Sequence, residues 1–152
     1  PFDPTRHNHV IENGFCNICQ IHVNEKTKHC RRCNVCVEVF DHHCIWLNNC
    51  IGKKNYGMFI IMVISIVLSS SGVTILSFCQ IFFWFTDLEG TKRAIELVIP
   101  FEIPMLVFLM TSLTSLASHL AIAVTTAHLL QFHVKLRNKG LTTYRFIMDQ
   151  RQ

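Results

Sequence analysis

Residues 57–85 read GMFIIMVISIVLSSSGVTILSFCQIFFWF and contain no charged side chain. As a helix rising about 1.5 Å per residue the stretch spans roughly 43 Å, more than the ~30 Å of a hydrocarbon core. Phe82, Phe83, Trp84 and Phe85 close it as an aromatic belt would close a span at a membrane interface. A soluble helix of this length keeps a polar face, and this one has none. We therefore read 57–85 as a transmembrane helix.

Working outward toward the C-terminus, residues 103–134 also lack Asp, Glu, Lys and Arg, although they hold His119, His128 and His133. Pro100 and Pro104 suit the entry of a helix rather than its middle. Thr111, Ser112, Thr114, Ser115, Ser118, Thr125 and Thr126 recur along it. Small hydroxyl residues allow close helix approach and hydrogen bonding across an interface. This second span is expected to pack on protein along one side. His119 falls near its middle and is expected as a neutral histidine bonded to a hydroxyl on a helix outside this segment. His128 and His133 are read as marking the cytoplasmic interface. The remaining apolar cysteine, Cys79, is a packing residue on this reading.

Charge orients the pair. Residues 1–56 carry seven Lys and Arg against five Asp and Glu, whereas the connecting loop 86–102 carries Lys92 and Arg93 against Asp87, Glu89, Glu96 and Glu102. The tail, 135–152, carries Lys135, Arg137, Lys139, Arg145 and Arg151 against Asp149 alone. The positive-inside rule puts residues 1–56 and the tail in the cytoplasm and the loop on the far side. Half of the 152 residues are hydrophobic and 16% are charged, which excludes disordered, collagen-like and coiled-coil chains. The sequence starts at Pro1, and we expect a segment of a longer protein.

Seven of the eight cysteines precede the first span, in a reducing compartment where metal binding or catalysis is favoured over disulfides. Cys16–Cys19, Cys30–Cys33 and Cys33–Cys36 have the two-residue gap that lets two thiolates reach one tetrahedral zinc ion. With His22 set aside as isolated, ten candidate ligands remain: Cys16, Cys19, His29, Cys30, Cys33, Cys36, His42, His43, Cys44 and Cys50. Two zinc ions need eight. Neighbours in extended chain point to opposite sides, so His29 and Cys30 should serve different ions and interleave the two sites. By the same alternation, a zinc-binding His43 leaves His42 and Cys44 together on the other side, with Asp41 directly before them. A thiol beside an imidazole that an acid orients is a nucleophile arrangement. Spacing alone leaves the alternative equally open, with Cys44 a ligand and Cys50 free.

From Cys16 to Phe59 the chain reads C-x2-C-x9-H-C-x2-C-x2-C-x4-D-H-H-C-x5-C-x4-N-x3-F without a gap. This resembles the DHHC-type protein S-acyltransferases, or palmitoyltransferases. Asp3-Pro4, followed by Thr5, resembles the family's Asp-Pro-Gly motif. Thr142-Thr143-Tyr144-Arg145 resembles its Thr-Thr-x-Glu motif, with Arg for Glu. The two spans then resemble the third and fourth of the usual four, and the family's conserved C-terminal segment is absent. The resemblance implies one zinc on Cys16, Cys19, His29 and Cys36 and a second on Cys30, Cys33, His43 and Cys50, both structural. It implies Cys44 as nucleophile, His42 as general base and Asp41 as its orienter. A long-chain acyl group would pass from palmitoyl-CoA to Cys44 and then to a cysteine of a membrane-associated protein in the endoplasmic reticulum or Golgi.

The expected fold is therefore an α-helical membrane protein. Segment 1–15 leads into a small irregular or β-hairpin cytoplasmic zinc domain over 16–56, followed by spans at 57–85 and 103–134. Lys53, Lys54, Lys135, Arg137 and Lys139 flank the cytoplasmic helix ends and are candidates for CoA phosphates. Trp46 and Phe59 are candidates for the acyl entrance. A second reading, a catalytically silent zinc-binding membrane scaffold or RING-like module, needs only the eight ligands. Nucleic acid is not expected: a net charge of +4 and the Arg31-Arg32 pair come without a stacking platform.

Overall fold

The computed structural model describes residues 9–151; the Asp3-Pro4 motif lies outside them. Of the described residues, those up to Ile61 and those from Gln131 onward form one compact unit, and Met62–Leu130 form another.

The first unit begins with seven short strands in three antiparallel sheets. β1 (Ile11–Glu12), β2 (Phe15–Cys16) and β3 (Ile21–His22) form the first, β4 (Lys28–Cys30) and β5 (Val35–Val37) the second, and β6 (His42–Cys44) and β7 (Asn49–Ile51) the third. Such two- and three-residue strands bury too little apolar surface to hold themselves, and a lone two-stranded hairpin is marginal in water. Their registers serve the Cys and His side chains instead. His29 lies opposite Cys36 across β4–β5, and His43 opposite Cys50 across β6–β7.

The turns need left-handed backbone. Asn34, inside Cys33–Cys36, sits at φ 52°, and Asn48, closing β6–β7, at φ 46°. Asparagine tolerates that region better than most residues, through local hydrogen bonding. Gly52 serves a different need: a Cβ there would lie 2.6 Å from Val37 Cγ1 and 2.9 Å from Glu38 O. The absent side chain lets the strand after Cys50 lie directly on β5 and the residues following it.

Two long helices follow. α1 covers Tyr56–Thr86 and α3 covers Met105–Asn138, each long and apolar enough to cross a membrane. α3 runs past the expected limit at Val134, so Lys135 and Arg137 form its last turn, where cations favour the carbonyl end of the helix dipole. Within the second unit, most of the apolar surface of these helices is exposed, whereas three hydroxyl residues, Ser70, Ser77 and Ser112, are buried. Ser77 Oγ donates to Ser115 Oγ at 2.9 Å and Ser112 Oγ to Gln80 Oε1 at 3.3 Å, joining α1 to α3. His119 Nδ1 donates to the Ser115 carbonyl at 2.9 Å, one turn back on α3.

The connection expected as a loop over 86–102 instead holds α2, Leu88–Val98. Asp87 caps it by accepting from Gly90 N at 2.9 Å, which satisfies one of the unpaired N–H groups of the first turn. Charged Glu89, Lys92, Arg93 and Glu96 share this helix with Leu88, Ile95, Leu97 and Val98, which gives it two faces rather than no structure. A short α4, Thr143–Asp149, ends the described chain in the first unit, with Thr142 as its N-cap.

Candidate metal centres and active site

The hairpin registers gather eight side chains into two clusters: Cys16, Cys19, His29 and Cys36, and Cys30, Cys33, His43 and Cys50. In the first, His29 Nδ1 lies 3.7, 3.3 and 3.9 Å from Sγ of Cys16, Cys19 and Cys36. In the second, His43 Nδ1 lies 3.7, 3.3 and 3.7 Å from Sγ of Cys30, Cys33 and Cys50. A tetrahedral zinc with Zn–S of about 2.3 Å and Zn–N of about 2.0–2.1 Å separates its ligand atoms by roughly 3.6–3.8 Å. The donor sets therefore fit zinc in both identity and spacing.

Electrostatics point the same way. Burial, then the neighbouring Cys16 and Cys19, push the Cys36 thiol up to about 12. Burial opposes ionisation of Cys16 and Cys30, but backbone N–H groups from Cys19 and from Cys33, respectively, outweigh it and lower both pKa values. Cys50 is pushed up by burial and by Cys33 and Cys30. Three thiols crowded on one imidazole cannot all ionise unless a cation neutralises them. The chain is threaded so that His29 belongs to one cluster and its neighbour Cys30 to the other, as strand alternation requires.

The same alternation acts on β6. His43 turns into the second cluster, and His42 turns away from it. His42 Nδ1 meets Asp41 Oδ2 at 2.7 Å. Asp41 is 3% exposed, and its other carboxylate oxygen, Oδ1, accepts from Thr143 N at 2.9 Å. The main chain is tied as well: Asp41 N donates to Ile51 O at 2.9 Å, and Tyr144 N donates to Asp41 O at 3.0 Å. Burial works to raise the Asp41 pKa, but the bonds from His42 and from the Thr143 backbone outweigh it and hold the carboxyl below its ordinary value. Asp41 is thus a fixed anion. With Nδ1 of His42 bonded to it, the ring's Nε2 is the nitrogen left for chemistry.

Cys44 lies two residues after His42 on the same strand face, is 8% exposed, and is part of neither thiol cluster. Asp41, His42 and His133 also bring ligand-type atoms within 4.8 Å of one another. The 2.7 Å between Asp41 and His42 is hydrogen-bond spacing, shorter than the roughly 3.3 Å between nitrogen or oxygen ligands about a tetrahedral zinc.

His133 was expected only as an interface marker, yet it is 2% exposed and packs its ring against His42, Phe59 and Tyr56. Phe59 is buried among the same rings, 5.3 Å from the His42 ring centre. Trp46, by contrast, is 97% exposed at the β6–β7 turn, flanked by exposed Ile45 and Leu47. The five candidate cations do not converge. Lys53 and Arg137 line one cleft of about 300 Å³ beside Asp41, Tyr56 and Thr142. Lys53 and Lys54 line a second, of about 420 Å³, against Cys33, Cys36 and Cys50. Lys135 and Lys139 line neither. Lys53 Nζ is already paired with Glu38 Oε1 at 2.6 Å.

Residues 9–150 match the family model of the DHHC palmitoyltransferases, so the chain belongs to that family. Among curated relatives it is 32% identical to human "Probable palmitoyltransferase ZDHHC11B" over 168 aligned positions, covering 99% of this chain and 44% of the relative. It is 44% identical to fission yeast "Palmitoyltransferase erf2" over 75 positions, 49% of this chain and 21% of the relative. It is 34% identical to Arabidopsis "Probable protein S-acyltransferase 20" over 140 positions, 90% of this chain and 19% of the relative. The chain spans less than half the length of each of these relatives.

Proposed function

We propose that this protein is a protein S-acyltransferase that moves a long-chain acyl group from acyl-CoA to Cys44 and then to a cysteine of a membrane-associated substrate protein. One observation carries the reading. Of the seven cysteines before α1, Cys44 alone stands outside both thiol clusters, on the strand face it shares with an imidazole bonded to a buried carboxylate.

Each step follows from these side chains. His42 Nε2 takes the Cys44 proton, and Asp41 stabilises the imidazolium that forms. The Cys44 thiolate attacks the acyl-CoA carbonyl; the C–S bond to CoA breaks and CoA leaves as its thiol, reprotonated by His42. A substrate cysteine, deprotonated in turn, attacks the Cys44 thioester and carries the acyl group away. One thioester replaces another, so positioning and proton transfer supply most of the catalysis. Cys16, Cys19, His29 and Cys36 would hold one structural zinc and Cys30, Cys33, His43 and Cys50 a second, which would tie β2 and β4–β7 together, steady the strand that carries His42 and Cys44, and supply folding free energy rather than chemistry.

The substrate explains why a zinc domain precedes a helix hairpin. A palmitoyl chain gains roughly 0.8 kcal/mol per buried CH₂ and stays in the bilayer, whereas CoA is anionic and stays in water. Cys44 precedes the apolar run by few residues, at the boundary the reaction needs. We place both helices across the membrane with the zinc domain in the cytoplasm, Lys53 and Arg137 toward the CoA phosphates, and the protein in the endoplasmic reticulum or Golgi. The test is two-step transfer by the full-length protein: radiolabelled palmitoyl-CoA should first label the enzyme in hydroxylamine-sensitive form. That label should then move to a membrane-tethered cysteine peptide. An enzyme that keeps two zinc ions and takes no label would be the silent scaffold instead.

A further inference from the structure

The bond to Asp41 fixes one edge of the His42 ring but leaves the ring free to swing about that edge. Two side chains limit the swing. The Phe59 ring meets the imidazole edge-on at 5.3 Å and 71°, and the His133 ring lies 5.7 Å away, tilted by 40°. Phe59 and His133 also pack on each other at 5.1 Å. A leucine would fill the same space, yet the position holds a histidine, 2% exposed, whose Nδ1 shares a hydrogen bond of 3.2 Å with the Tyr56 hydroxyl. That bond, between residues 77 apart in sequence, selects one orientation of the His133 ring. It also sets a ring nitrogen of His133 within 4.8 Å of the Asp41 and His42 polar atoms. A buried imidazole tied to a phenol costs more to assemble than an apolar side chain, so its presence asks for a use.

We propose that His133, oriented by Tyr56, is a positioning residue for the acyl-transfer reaction: it holds the His42 imidazole in the plane from which Nε2 reaches Cys44. The proposal rests on His42 being the base for Cys44, as argued above. The ring of His133 packs on His42 and Phe59, so the effect proposed here passes through the His42 imidazole. Misplacing a reacting group by about 1 Å costs on the order of 10²-fold in rate. Loosening His42 should cost about 10- to 10²-fold.

The experiment is a double-mutant cycle on single-turnover acylation of Cys44 in the full-length protein, with labelled palmitoyl-CoA and zinc content measured on each variant. His133→Ala is expected to slow acylation by about 10- to 10²-fold at unchanged half-saturating palmitoyl-CoA, and to slow it less than about twofold in a His42→Ala background. Tyr56→Phe, which removes a single oxygen, should show the same pattern at a few-fold. His133→Asn, which keeps a polar atom for Tyr56, should recover part of the rate. A full rate in His133→Ala, or the same loss with and without His42, would overturn the proposal, because a merely structural role acts in both backgrounds. Should His133→Ala lose zinc or fold, Tyr56→Phe decides on the same two criteria. If His42→Ala itself acylates as fast as wild type, the base assignment fails first, and with it any reason to position that ring.

Discussion

Replacing Asp41 by Asn keeps the size of the side chain and removes its charge. Asp41 Oδ1 faces the Thr143 N–H at 2.9 Å and Oδ2 faces His42 Nδ1 at 2.7 Å. An amide has one oxygen. Turning it toward Thr143 sets the new NH₂ against His42 Nδ1, which must then accept rather than donate. The ring proton moves to Nε2, the atom that should take the Cys44 proton. Turning the amide the other way opposes NH₂ to the Thr143 N–H and leaves two buried donors facing each other. Either way a charge-assisted bond of about 1.5–3 kcal/mol is lost at a site 3% exposed. Because the first arrangement disables the base outright, acylation should fall by about 10²–10⁴-fold. The assay is quenched-flow acylation with labelled palmitoyl-CoA, beside zinc content and thermal unfolding. Two zinc ions retained, a modest loss of stability and a rate within about threefold of wild type would refute the role of the carboxylate.

Neighbouring histidines should fail differently: His42→Ala should keep both zinc ions and lose acylation, and His43→Ala should lose one zinc and protease resistance. Zinc stoichiometry decides this, and the reverse pattern would exchange the roles. Gly52→Ala forces a Cβ to 2.6 Å from Val37 Cγ1 and should destabilise the zinc domain by about 1–3 kcal/mol, read as a lower chelator concentration for unfolding. Ser77→Ala breaks the bond to Ser115 between α1 and α3 and should cost about 0.6 kcal/mol in detergent unfolding without changing the acylation rate.

The parts legible in the sequence are those set by local chain geometry. Two-residue gaps and side-chain alternation set Cys30 opposite His29 and His42 opposite His43, while the choice between Cys44 and Cys50 as the spare thiol comes only with the family resemblance. Uncharged runs define α1 and α3 by composition. The contacts that tie down Asp41 and His42 are not local. Thr143 is 102 residues from Asp41, and Tyr56 is 77 from His133. A histidine near the end of an apolar helix carries no periodic signal of which ring it will meet. The helix at Leu88–Val98 did leave a trace, in Asp87 before it and in two faces of opposite character, but its charges read as a polar connection.

The central claim is that Cys44 is spare for chemistry because the other six cysteines before α1, with His29 and His43, are committed to metal. Peptide mapping of the acyl adduct on wild-type protein, with zinc counted in Cys44→Ser, tests it most directly. The account predicts the adduct on Cys44 and two zinc ions per chain with and without that thiol. An adduct on Cys50, or one zinc fewer in Cys44→Ser, would contradict it.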